Sequence, residues 1–107
     1  MKRFIVAFLS LVFANLTLAQ PALEDCTEVP KLAADVMARR QVNYDIMLMI
    51  NRMNGELNDN SELLRWAEAM IDMAYSQGVA ATPEERAKQV QDFQTLWLER
   101  CLNKMPK

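Results

Sequence analysis

Leu63-Leu64-Arg65-Trp66-Ala67-Glu68-Ala69-Met70-Ile71-Asp72-Met73-Ala74-Tyr75 is the stretch whose reading decides the fold. On a helix at about 100° per residue, Leu63, Ala67, Met70 and Ala74 fall on one line. Ile71, Leu64 and Tyr75 widen that line on one side, and Trp66 and Met73 on the other. The apolar arc then covers roughly 200°, about twice the stripe of an ordinary surface helix. A helix of this kind needs neighbours on more than one side, so it is expected to be the central element of a small all-helical protein. Arg65, Glu68, Asp72 and Ser76 are left for water.

Working outward on the C-terminal side, Gly78 is expected to end this helix. Thr82-Pro83-Glu84-Glu85 then opens the next with a capping box and proline at the first helical position. The inner face of that helix is expected to be Ala87, Val90, Phe93, Trp97 and Cys101. On the N-terminal side, Gly55 to Asn60 is rich in Gly, Asn and Asp and reads as a loop, with Asn60 or Ser61 capping the central helix.

Before that loop lie two apolar runs. In the first, from about Thr27 to Val42, Val29, Leu32, Ala33, Val36 and Met37 recur at helical spacing, with Thr27 as the expected N-cap. Arg40 extends that stripe. It reads as the end of the helix, with Arg39 and Arg40 as an alternative anion or partner site. The second run presents Ile46, Met49, Ile50 and Met53 on one face. Asn43 can take the left-handed cap conformation and Asp45 can cap a new helix, whereas propensity alone also allows one continuous helix from Thr27 to Met53.

The two cysteines decide between these readings. Cys26 and Cys101 are the only ones in the chain, and they stand near the two ends of its expected mature portion. In an oxidising compartment they are expected to pair. A bridge requires Cα atoms within about 7 Å, while a 20-residue helix is ~30 Å long. Three long helices would leave the cysteines at opposite ends; an even number returns them to one end. The fold expected is therefore an all-α, four-helix domain closed by one disulfide, with a break at Asn43, and three long helices as the alternative. Closing so long a loop should stabilise a small core by about 4 kcal/mol.

The oxidising compartment is itself read from the N-terminus. Met1-Lys2-Arg3, an apolar stretch from Phe4 to Phe13 and small residues at Thr17 and Ala19 form a secretory signal peptide, expected to be cleaved after Ala19. That divides the chain into a signal over 1–19 and a single helical domain over 20–107, periplasmic or secreted. Cleavage removes two of the 12 basic residues and takes the formal net charge from −2 to −4. No basic run survives, so nucleic acid is excluded as a partner, and no stable membrane insertion is expected after cleavage.

Catalytic chemistry is sparse. The chain has no histidine, no free cysteine if the two pair, and no glycine-rich phosphate loop or metal-ligand motif. Glu84-Glu85, Glu68 with Asp72, and Glu24-Asp25 read as caps and solvated faces rather than acid–base pairs. No enzymatic activity, no catalytic residue and no cofactor are expected. The methionines at 37, 47, 49, 53, 70, 73 and 105 read as core filling, with an adaptable binding surface or thioether ligation of Cu(I) as alternatives.

Cys26, Leu32-Ala33, Val36-Met37, Arg40-Gln41, the methionines of 47 to 53, Ala74-Tyr75, Phe93 and Cys101 together resemble a group of small Gram-negative bacterial proteins. Those proteins carry a signal peptide and a cysteine near each end of the mature chain. Asn43 stands where that group usually has glycine, and Ser76-Gln77-Gly78 follows Ala74-Tyr75 where proline is common; both departures fall in expected loops. The likeness implies a secreted helical domain and supplies no chemistry.

The function expected is thus a periplasmic or secreted interaction module with a protein partner or self-association. Its candidate surface is Trp66 and Met73 on the edge of the central helix, Leu96 on the outer side of the last, and Arg39 and Arg40. A methionine-based Cu(I) carrier and a periplasmic stress chaperone are the competing readings.

Overall fold

A computed structural model describes residues 26–103, and the expected signal over 1–19 lies outside the described residues. Four helices follow one another: α1 over 26–41, α2 Ile46–Glu56, α3 Ser61–Tyr75 and α4 Pro83–Leu102. They form an all-α domain closed by a disulfide between Cys26 and Cys101, with Cα atoms 5.5 Å apart. The break between α1 and α2 falls where expected. Asn43 takes φ 63°, the left-handed conformation that asparagine tolerates better than most residues.

Polar side chains set the helix starts. Asp45 caps α2 by accepting hydrogen bonds from the Met47 and Leu48 amides at 3.0 and 3.2 Å. Asn60 caps α3 through the Leu63 amide at 3.1 Å, and Thr82 caps α4 through the Glu85 amide at 3.1 Å, with Pro83 at the first helical position. Each satisfies a backbone donor the helix itself leaves unpaired. Three expectations need correction. α1 already includes Cys26, so Thr27 lies inside its first turn rather than capping it. α3 ends at Tyr75 with Ser76 as its C-cap, and Gly78 has no positive φ, so the helix stops before glycine is needed. Ala87 on α4 is exposed.

The core is built largely from α1 and α3. Val29, Ala33, Val36 and Met37 of α1 are fully buried, and α3 contributes Trp66, Ala67, Met70, Ile71 and Ala74. Leu63, Leu64, Ala69, Met73 and Tyr75 pack partly buried around that centre. Every apolar residue from 63 to 75 is therefore at least partly covered, as the wide arc of α3 requires. Met49 and Met53 of α2 and Phe93 and Trp97 of α4 complete the cluster. Ala33, Ala67 and Ala74 are fully buried and add little bulk, and the flexible side chains of Met37, Met49, Met53 and Met70 fill the rest of the core.

The chain direction alternates from helix to helix. Cys26 opens α1 beside Cys101 near the end of α4, and Gln41 closes α1 beside the 78–80 segment that precedes α4. α1 and α4 thus run antiparallel, held at both ends. α2 and α3 form the second antiparallel pair, joined by the loop 57–60, and the Tyr75 hydroxyl at the end of α3 donates to the Tyr44 carbonyl just before α2 at 2.6 Å.

Candidate functional site

Residues near the end of α1 gather the connection between α3 and α4. The connecting segment 76–82 has no regular structure, so its carbonyls must find partners elsewhere. Arg40 donates from Nε and Nη2 to the Gln77 carbonyl at 3.0 and 2.8 Å. Gln41, only 4% exposed, uses both ends of its amide: Nε2 donates to the Gly78 carbonyl at 3.2 Å and Oε1 accepts from the Ala80 amide at 2.8 Å. Arg86 Nη1 donates to the Ala80 carbonyl at 2.9 Å. Arg40 also lies 5.0 Å from the centre of the Tyr75 ring. Burial pushes the Tyr75 hydroxyl pKa above its ordinary 10.0, with the Arg40 charge working against that rise.

These contacts assign the sequence candidates. Arg40 is committed to Gln77, and Arg39 to Asp35 at 3.1 Å and to the face of Tyr44 at 5.2 Å. Both arginines serve the fold. Trp66, read as an edge residue, is 5% exposed and meets Trp97 edge-on with ring centres 5.9 Å apart. It is core, because the wide arc of α3 is covered on the side where Trp66 points. Met73 and Leu96 pack partly buried against the same core. With Trp66 inside and Arg39 and Arg40 turned to intramolecular partners, the five residues do not make one free surface.

Exposed apolar residues cluster instead at the start of α2, with Val79 before α4 and Leu102 at its end standing apart. Val42 in the preceding turn is 73% exposed, and Met47 and Leu48 in the first turn are 59% and 53% exposed. The signal was present in the sequence: Ile46-Met47-Leu48-Met49-Ile50 is five apolar residues in succession, and a helix packed on one side cannot bury them all. Met49 goes inside and Met47 and Leu48 remain out. Asp45 bonds the amides of the two exposed residues, so the backbone that presents them is fixed by the cap.

Beside this turn an open groove of about 270 Å³ runs between α2 and α3. Ile46, Ile50, Met53, Leu64 and Ile71 form its apolar lining. Asn54, Glu68 and Asp72 bring polar groups to it. Glu68 and Asp72 stand one helical turn apart and exposed, and neither has an ion-pair partner among the described residues. Asp35, Glu56 and Asp92, in contrast, each hold a cation one turn away.

Among the described residues no group of three or more His, Cys, Asp or Glu side chains could hold a metal ion. Met49, Met53 and Met70 are sealed in the core with 0 or 1% exposure, which takes them away from the thioether-ligand reading. No helix among the described residues is long and apolar enough to cross a membrane. Compared with protein-family models, curated proteins and solved structures, the chain matches none.

Proposed function

We propose that the protein is a non-enzymatic helical interaction module, working in the periplasm or outside the cell, that reads a protein partner through the start of α2. The observation that carries this reading is the pair Met47 and Leu48, held outward by the Asp45 cap beside an apolar groove. Exposed apolar groups on a preorganised backbone lose little conformational freedom on docking, and that is where binding energy concentrates. The Cys26–Cys101 bridge supports the location, since structural disulfides persist in oxidising compartments.

A photo-crosslinking residue introduced at Leu48 in cells producing the full chain tests the proposal. Irradiation should yield a discrete protein adduct from position 48 and none from exposed Thr95 on α4. Met47→Asp should abolish the adduct without shifting the melting temperature, because Met47 faces solvent. Absence of any adduct from position 48 would overturn the reading.

A further inference from the structure

We infer that the groove between α2 and α3 receives an amphipathic helical segment of a partner protein, with its apolar side chains in the groove and a Lys or Arg against Glu68 and Asp72. This rests on the interaction-module reading and adds the chemistry of the occupant. The groove is partly open to solvent and lined on its apolar side by Ile46, Ile50, Met53, Leu64 and Ile71. At about 270 Å³ it lies just below the roughly 300 to 1,000 Å³ of pockets that enclose a drug-sized ligand. Its dimensions suit one or two side chains reaching down from a helix laid across it, in the manner of peptide helices bound in apolar grooves.

Charge then selects the occupant. Glu68 and Asp72 are on one face of α3 and border the apolar lining, and no cation of the described residues pairs with either. Two carboxylates one turn apart repel each other modestly. A cation brought by the occupant converts that repulsion into attraction, partly shielded from water by the apolar contacts beneath it. A second copy of the chain is a poorer match. It carries a net negative charge, and its exposed pair Met47 and Leu48 sits beside Asp45. An anionic lipid surface is opposed by the same carboxylates.

The test is a titration of the disulfide-bonded protein with a short fluorescent amphipathic peptide of leucine and lysine, against a peptide of identical pattern with glutamate for lysine. Saturable one-to-one binding of the lysine peptide is expected, with the glutamate peptide at least about tenfold weaker. The double variant Glu68→Lys/Asp72→Lys should weaken the lysine peptide about tenfold, while Glu85→Lys/Glu99→Lys, which changes net charge equally at exposed sites on α4, outside the groove lining, should leave it within about twofold. Methyl resonances of Ile46, Ile50 and Ile71 should shift on binding. Equal loss in both double variants would show unspecific attraction and overturn the inference. So would concentration-dependent dimerisation that shifts the same methyls without peptide, or shifts of those methyls by neutral phosphatidylcholine vesicles. If the lysine peptide fails while position 48 still crosslinks, the inference falls and the interaction module stands; if both fail, both fall.

Discussion

The two ends of the α1–α4 pair are closed by different physics. At one end a covalent bond joins Cys26 to Cys101 across a sequence separation of 75. At the other, Arg40 and Gln41 hold the 77–80 segment by hydrogen bonds alone. A disulfide acts chiefly by restricting the unfolded chain, so its contribution grows with loop length and depends on redox conditions. The amide clasp acts in the folded state, where its worth is the cost of leaving half-buried donors and acceptors without their partners. One end answers to reductant and the other to the placement of two neighbouring side chains.

The largest effect should come from the covalent end. Cys26→Ser/Cys101→Ser should lower unfolding free energy by about 4 kcal/mol in the chain-entropy account, measured by urea denaturation with wild type in parallel. Tertiary structure at the clasped end should survive where the variant remains folded. A loss well under 1 kcal/mol would mean that the clasp alone closes the bundle.

Gln41→Ala addresses the clasp directly. It removes a buried side chain and strips partners from the exposed Gly78 carbonyl and the half-buried Ala80 amide, and a loss of about 1 to 2 kcal/mol is expected. Hydrogen exchange sharpens the comparison. The Ala80 amide should exchange much faster in the variant, while amides around Cys101 change only by the global loss of stability. Uniform acceleration throughout would show that the two ends are not separable.

The smallest effect belongs to Tyr75. Tyr75→Phe removes the hydroxyl that donates to Tyr44 and should cost about 1 kcal/mol at neutral pH. Burial raises the Tyr75 pKa in the folded protein above 10.0. The folded state therefore favours the protonated phenol, and that preference is fully present below pH 10 and lost as pH rises through the raised folded value. The stability difference between wild type and Tyr75→Phe should be constant from pH 7 to about 9.5 and shrink above it. A difference that stays flat to pH 12 would show that the hydroxyl is not shielded.

The same contrast explains what could be read in advance. The disulfide was legible because two cysteines allow one pairing, and the geometry of that pairing demanded an even number of helices. Asp45, Asn60 and Thr82 were legible because a cap is a local transaction between a side chain and backbone amides two or three residues away, and Asn43 because asparagine tolerates the left-handed conformation that a helix break requires. Gln41 was not. Its partners lie 37 and 39 residues along the chain, and a polar residue ending an apolar stripe looks the same whether it faces water or clasps a distant loop. Trp66 was misplaced for a related reason: when an apolar arc spans over half a helix, periodicity cannot say which flank is covered. The candidate groove was half visible. The run from Ile46 to Ile50 announced excess apolar surface, but only the packing of α2 on α3 brought Glu68 and Asp72 beside it.

The bridge has one more consequence, for a chain that is cut. Loop 57–60, with Asn58, Asp59 and Asn60 exposed, separates α1 and α2 from α3 and α4. Cleavage there leaves two two-helix fragments still tied through Cys26 and Cys101. Their reassociation is then intramolecular, at an effective concentration on the order of millimolar rather than that of the bulk protein. A nicked molecule should keep its fold under dilution that would part the same two fragments without the bond, and the groove between α2 and α3, which straddles the cut, should close again unaided.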